Sequence, residues 1–347
     1  MQIAHLNRST AMEREFAPPR SKWCVVVADD HAPEWVAQGA LELHSAPVQY
    51  GCLGGSSTLL QGALHRAESI VPASQILVTA LTEYRNRWEP ILWSVRPEMR
   101  FVGDKRTNSA LTTAAAILSI ARASPSSIVT ILPARCYVGH EWILREALKQ
   151  VETELPHVPE GVVTLGMVDI DEGVDEDYMM VGRALHGRGL EVRGIARRPT
   201  AWVARHLRRQ GAVVSSGIMV GYAGVFAAHM TRHWPEITHR LTNLLVLASA
   251  AQLECRIPSA LQDRISGSVL KLPRWNLPTF PQRVFPVCDC GWSGLRSAHA
   301  VARIADHLAS RVPRRQSLSA YPTARNNSEP MALRVSLGVC EPTLIQR

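Results

Sequence analysis

The chain has 347 residues, 46% of them hydrophobic and 20% charged, proportions that suit a soluble globular protein with a large core. Its formal net charge is +8, but the basic residues are dispersed and carry no zinc-finger, RRM or KH signature, so no nucleic-acid partner is expected. No apolar run reaches membrane-span length, no apolar leader opens the chain, and seven irregularly spaced cysteines suit free thiols, so a cytoplasmic protein with no membrane partner is expected.

Residues 1–21 have mixed charge and no period, and read as a flexible lead-in. Trp23 to Ala28 is a continuous apolar run fit for a strand buried on both faces. Leu59, Leu60, Ala63, Leu64, Ala67 and Ile70 recur at helical spacing, with Ser57 or Thr58 as the cap. Strands are expected at 75–81 and 99–102, a small-residue helix at 109–123, a buried strand at 127–132 and a helix at 141–154. Strands follow at 161–168 and 190–195, then a helix at 200–210 that ends at Gly211, a strand at 213–220 and a helix at 222–231. The apolar stretch Leu244 to Leu253 is too short to span a bilayer and reads as a core helix. Residues 306–347 form a basic tail, which leaves 22–305 as one domain. Alternation at this pitch predicts an α/β fold, its central sheet mixed and mainly parallel, with helices on both faces.

In an open α/β sheet, ligands lie beyond the carboxyl ends of the strands. The segment Ser127 to Val138 runs from a buried strand into Pro133-Ala134-Arg135, so Arg135 is expected to face the site. The first strand leads into Asp29 and Asp30. These read as an ordinary acidic loop or as relocated metal ligands, and their charge repels phosphate unless a metal intervenes. Pro47-Val48-Gln49 follows, and then a Gly turn at Gly54-Gly55 before the first helix. Asn108 and Ser109 open an Ala-rich helix, either as its cap or as donors and acceptors for a purine edge. Asp177 to Gly182 stands at a position for which a family resemblance implies a loop. Arg197-Arg198-Pro199, Ser215-Ser216-Gly217 and Trp292-Ser293-Gly294 come after it, with Asp289 shortly before the last. His229 and His233 stand at helical ligand spacing beside Trp234, and read as a solvated or satisfied pair.

Taken in order, these segments resemble sugar-1-phosphate nucleotidyltransferases, most of all mannose-1-phosphate guanylyltransferases, over roughly residues 22 to 305. The resemblance implies a Rossmann-like, glycosyltransferase-A-like fold. It also implies in-line attack of a sugar-1-phosphate on a nucleoside triphosphate, assisted by Mg²⁺. In that family a Gly-rich loop follows the first strand, a Lys stands in P-K-Q, and Asp residues of L-P-A-D-H and W-S-D-V-G hold the metal. Here those positions are the Asp29-Asp30 loop, Val48, Arg135 and Gly294. By the same resemblance Gln49, Asn108 and Ser109 are nucleotide-binding candidates, and Arg198, Ser215 and Ser216 sugar-phosphate candidates. The lost positions imply a weak or inactive relative that binds GTP, a GDP-sugar or a hexose phosphate weakly. Two alternatives stay open: a non-catalytic binding or regulatory protein, and an active enzyme with Mg²⁺ on a site rebuilt from Asp29, Asp30 and Asp289.

Overall fold

The structure, a computed structural model, describes residues 21–30, 47–53, 57–105, 107, 109–168, 175–185, 187–263 and 282–311. The lead-in through residue 20, the tail from residue 312, the Gly54-Gly55 turn and Asn108 lie outside them.

The apolar run after Ser21 forms β1 (Lys22–Val27), and it sits inside the sheet because both of its faces are apolar. It pairs in parallel with β2 (Ile76–Leu81) on one side and β4 (Ile128–Pro133) on the other. Beyond β2 lie β3 (Arg100–Gly103) and the three-residue β9 (Cys255–Ile257), also parallel. Alternation along β1 separates two cores. Cys24 and Val26 point into one with helices α1 (Leu59–Glu68) and α3 (Glu141–Glu154). Val25 points into the other, under α2 (Ser109–Ala123), α5 (Ala223–His233) and α6 (Pro235–Ala251). Each large aliphatic side chain buried in these layers contributes about 1.5–3 kcal/mol of transfer free energy. Helix α1 starts where expected because Thr58 and Gln61 form a reciprocal capping box, with Gln61 N donating to Thr58 Oγ1 at 3.1 Å and Thr58 N to Gln61 Oε1 at 2.7 Å.

The other half of the sheet is different. Here β5 (Val162–Met167), β6 (Tyr178–Ala184), β7 (Leu190–Ala196), β8 (Val213–Tyr222) and β10 (Gln282–Val287) pair in the order β5-β10-β7-β6-β8, and β8 pairs again with β5. The five strands therefore close on themselves. Helix α4 (Ala201–Arg209) lies between β7 and β8 in the chain, and α7 (Ala298–Arg311) follows β10 and runs across residue 305.

Among the described residues five of the ten strand pairings are antiparallel, which corrects the expected mainly parallel sheet to a mixed one. The cause is visible in β8. Its last residues lie between β4 and β5, whereas its first lie against β6 and β5. The strand changes neighbours at Ser216-Gly217, where Gly217 adopts φ 75°, a backbone state that side chains disfavour. Two further expectations are corrected. Residues 178–182 are strand and not loop, because Tyr178 and Met179 are buried in the circuit. The apolar end of α6 is core on one face only: Leu245 is buried with Leu244 and Ala248 packed beside it, whereas Leu247 is 71% exposed and Val246 faces outward. No helix among the described residues is long and apolar enough to cross a membrane.

Candidate functional site

The carboxyl ends of β1 and β4 lie side by side, with Val27 opposite Pro133 and Ala134 N donating to Val27 O at 2.8 Å. Asp29, Asp30 and Arg135 therefore leave the sheet together. A turn that follows β10 packs onto the same exit. Tyr137 and Ser293 exchange backbone hydrogen bonds of 2.9 Å each, and Gly139 N and His140 N donate to Cys290 O at 3.0 and 2.9 Å. The approach to β6 joins from the side, since Asp177 accepts from Ser215 N through its carbonyl at 2.8 Å and from Arg198 N through Oδ1 at 3.2 Å.

Four charges follow from this convergence. Arg135 Nη2 is 3.6 Å from Asp30 Oδ1, and Arg296 Nε is 2.9 Å from Glu176 Oε2. Burial pushes the Glu176 carboxyl up to about 7, against the opposing pull of Arg296 and Arg135. A Cβ at Gly294 would overlap the Glu176 carboxylate, so that carboxylate fills the space in which a side chain at 294 would begin. The approach to β6 supplies this carboxyl group, and a guanidinium holds it.

Asp29 is fully buried and accepts a hydrogen bond from Thr112 Oγ1 on α2. Burial raises its pKa to about 7, partly opposed by that hydrogen bond. Gln49 is also buried, and its amide donates to Ala28 O at 3.2 Å and to Asp30 O at 2.8 Å. Tyr50 Oη adds a third donor, to Ala28 O at 3.0 Å, so this pair of residues fixes the acidic loop. Val48 packs with Leu295, Val301 and Ile304 beneath α7. Val48 is thus part of a small apolar core.

Ser216 Oγ donates to Leu165 O at 2.7 Å and accepts from Ile218 N at 3.0 Å, which secures the bend of β8. Ser215 is buried beside it, and Arg198 is exposed with φ 40°. Ser109 opens α2 and its carbonyl accepts from Thr112 Oγ1 at 3.0 Å. Asp289 is exposed on left-handed backbone in the turn after β10. Among the described residues, no three His, Cys, Asp or Glu side chains gather as a metal ion requires. The His229 and His233 rings lie 4.3 Å apart, and burial with His233 nearby lowers His229 to about 4, so it stays neutral at neutral pH. The structure thus brings together Asp30, Arg135, Gly294, Asp177, Arg198 and Ser215, and adds Glu176 and Arg296, which the sequence reading passes over. The one sequence signal for Glu176 is an acidic run, and Arg296 lies two residues past the W-S-x segment.

No family model matches the chain, and no curated protein does. Solved structures do. The "mannose-1-phosphate geranyltransferase" of Thermus thermophilus is similar with a TM-score of 0.62 and 22% identity, over 82% of this chain and 79% of that one. The "mannose-6-phosphate isomerase" of Helicobacter pylori gives 0.53 at 14% identity, over 78% of this chain and 99% of that one. A putative glucose-1-phosphate thymidylyltransferase of Bacillus anthracis gives 0.50 at 11%, over 82% of this chain and 96% of that one. The chain shares the mixed α/β fold of these proteins.

Proposed function

We propose that this chain is a mannose-1-phosphate guanylyltransferase-like protein that binds a guanine nucleotide, a GDP-sugar or a hexose phosphate, and turns them over poorly or not at all. The names of the three similar structures each carry a hexose phosphate, which supports the ligand class. The observation that carries the catalytic half is the set of residues at the exits of β1 and β4 and in the turn after β10. Arg135 stands where the resemblance asks for a metal-binding Asp, the second such position is Gly294, and Val48 is buried in place of the Lys. Phosphoryl and nucleotidyl transfer depend on charge neutralisation, and each lost transition-state contact typically costs a factor of about 10²–10³.

A pyrophosphate-release assay with GTP, mannose-1-phosphate and Mg²⁺ or Mn²⁺ tests the catalytic half, and the expected rate is background. Robust turnover that Asp29→Ala or Asp289→Ala abolishes overturns the inactive reading in favour of a rebuilt metal site. Calorimetry with GDP-mannose and mannose-1-phosphate tests the ligand class. Weak binding is expected, and no heat with either removes that half of the proposal.

A further inference from the structure

We infer that the Arg135 guanidinium is a built-in cation of the cleft, which takes a phosphate group of the ligand directly in exchange for Asp30 and without a divalent metal. The inference rests on the reading of the cleft as a site for phosphorylated ligands and specifies how the phosphate is held.

Two largely buried arginines in this chain meet their carboxylates differently, and the contrast carries the argument. Arg66 binds Glu141 through two hydrogen bonds of 2.9 and 2.7 Å, a closed fork that ties α1 to α3. Arg135 meets Asp30 at 3.6 Å, beyond hydrogen-bond distance, so the attraction is Coulombic and the N–H fork is not committed to that carboxylate. Its side chain is 15% exposed. The side chain is therefore mostly out of water without being sealed off, a setting in which a charge-assisted bond to phosphate is strong. The neighbouring carboxylate does not compete equally, because Glu176 is paired with Arg296 at 2.9 Å and packed into the gap left by Gly294. Asp30 sits on a loop that Gln49 holds by its backbone carbonyl, which leaves its carboxylate to turn aside while the loop stays in place. An Arg fork meets two oxygens of a phosphate bidentately, whereas among the described residues no three His, Cys, Asp or Glu side chains gather to hold a metal in its place.

Calorimetry in EDTA with inorganic pyrophosphate and, separately, GDP-mannose provides the test. Both probes should bind without metal, Arg135→Met should weaken each about tenfold or more, and Asp30→Asn should tighten each severalfold by releasing the guanidinium. The opposite signs matter: misfolding weakens binding in both variants, and if Arg135→Met does not fold, Asp30→Asn decides alone. Binding of pyrophosphate that requires Mg²⁺, that ignores Arg135→Met, or that weakens in folded Asp30→Asn overturns the inference, as does no heat with pyrophosphate. The nucleotide-sugar reading fails separately, if pyrophosphate behaves as expected and GDP-mannose binds no more tightly than pyrophosphate does.

Discussion

At the scale of single residues, Asp29 is the most telling. Its carboxyl lies against Thr112 with Thr79, Asp30 and Tyr50 nearby, and burial lifts its pKa from 3.8 to about 7. A carboxyl raised on folding keeps its proton in the native state while the unfolded chain loses it. Stability is then fully present below pH 3.8, declines as pH rises, and is lost through about pH 7. Asp29→Asn keeps the acceptor for Thr112 and removes the titration. Thermal melts should show the variant close to the parent at pH 4 and more stable at pH 8, by at most about 4 kcal/mol. A variant less stable than the parent at pH 8 would mean that the buried charge is compensated after all. Asp29 and Asp30 are legible in the sequence as a pair leaving the end of β1, since they directly follow an unmistakable strand. That one is buried on Thr112 and the other set beside Arg135 is not legible, because both partners lie more than 80 residues along the chain. Glu176 goes unread for the same reason: its meaning depends on a glycine and an arginine over 100 residues away.

At the scale of elements, the helices over 109–123 and 141–154 match their expected bounds, and β4 falls within a residue of its own, since period and small-residue content mark them plainly. Strand direction is not written in periodicity, and this is where the sequence reading fails. One cue is available. Only five residues separate β6 from β7, too few for a parallel crossover, and Leu185 N closes the hairpin on Gly189 O at 2.8 Å. With β6 read as a loop, its antiparallel partners have no place in the scheme. The three residues of β9 carry too little pattern to be seen. The closed circuit of strands makes its own demand at Gly166 on β5, where a Cβ would come within 2.5 Å of both Val213 on β8 and Val284 on β10. Both contacts are β-branched side chains fixed in a sheet, so neither yields easily. Gly166→Ala should destabilise by about 1–3 kcal/mol in urea unfolding. A neutral result would show that the two valines can part without breaking the circuit.

At the scale of the whole molecule, β10 occupies a place that sequence order does not suggest. Residues 282–287 insert between β5 and β7, whose strands end at residues 167 and 196. The turn that carries Gly294 and Arg296 follows it directly, and α7 then covers Val48. During synthesis the parallel half can therefore gather β1, β2, β3 and β4 while a slot between β5 and β7 stands open, waiting for a segment made much later. Such long-range pairing is slow, because the chain must be closed over a long loop before any contact repays it. Pulse-labelled hydrogen exchange during refolding should show amides of β1, β2 and β4 protected ahead of those of β5 and β10. Simultaneous protection at the earliest times would refute this order. A nascent chain stopped short of β10 thus owns most of a sheet but lacks the turn that sets Gly294 and Arg296 against Glu176: under the proposed function, a ligand can reward only chains that have run the whole course.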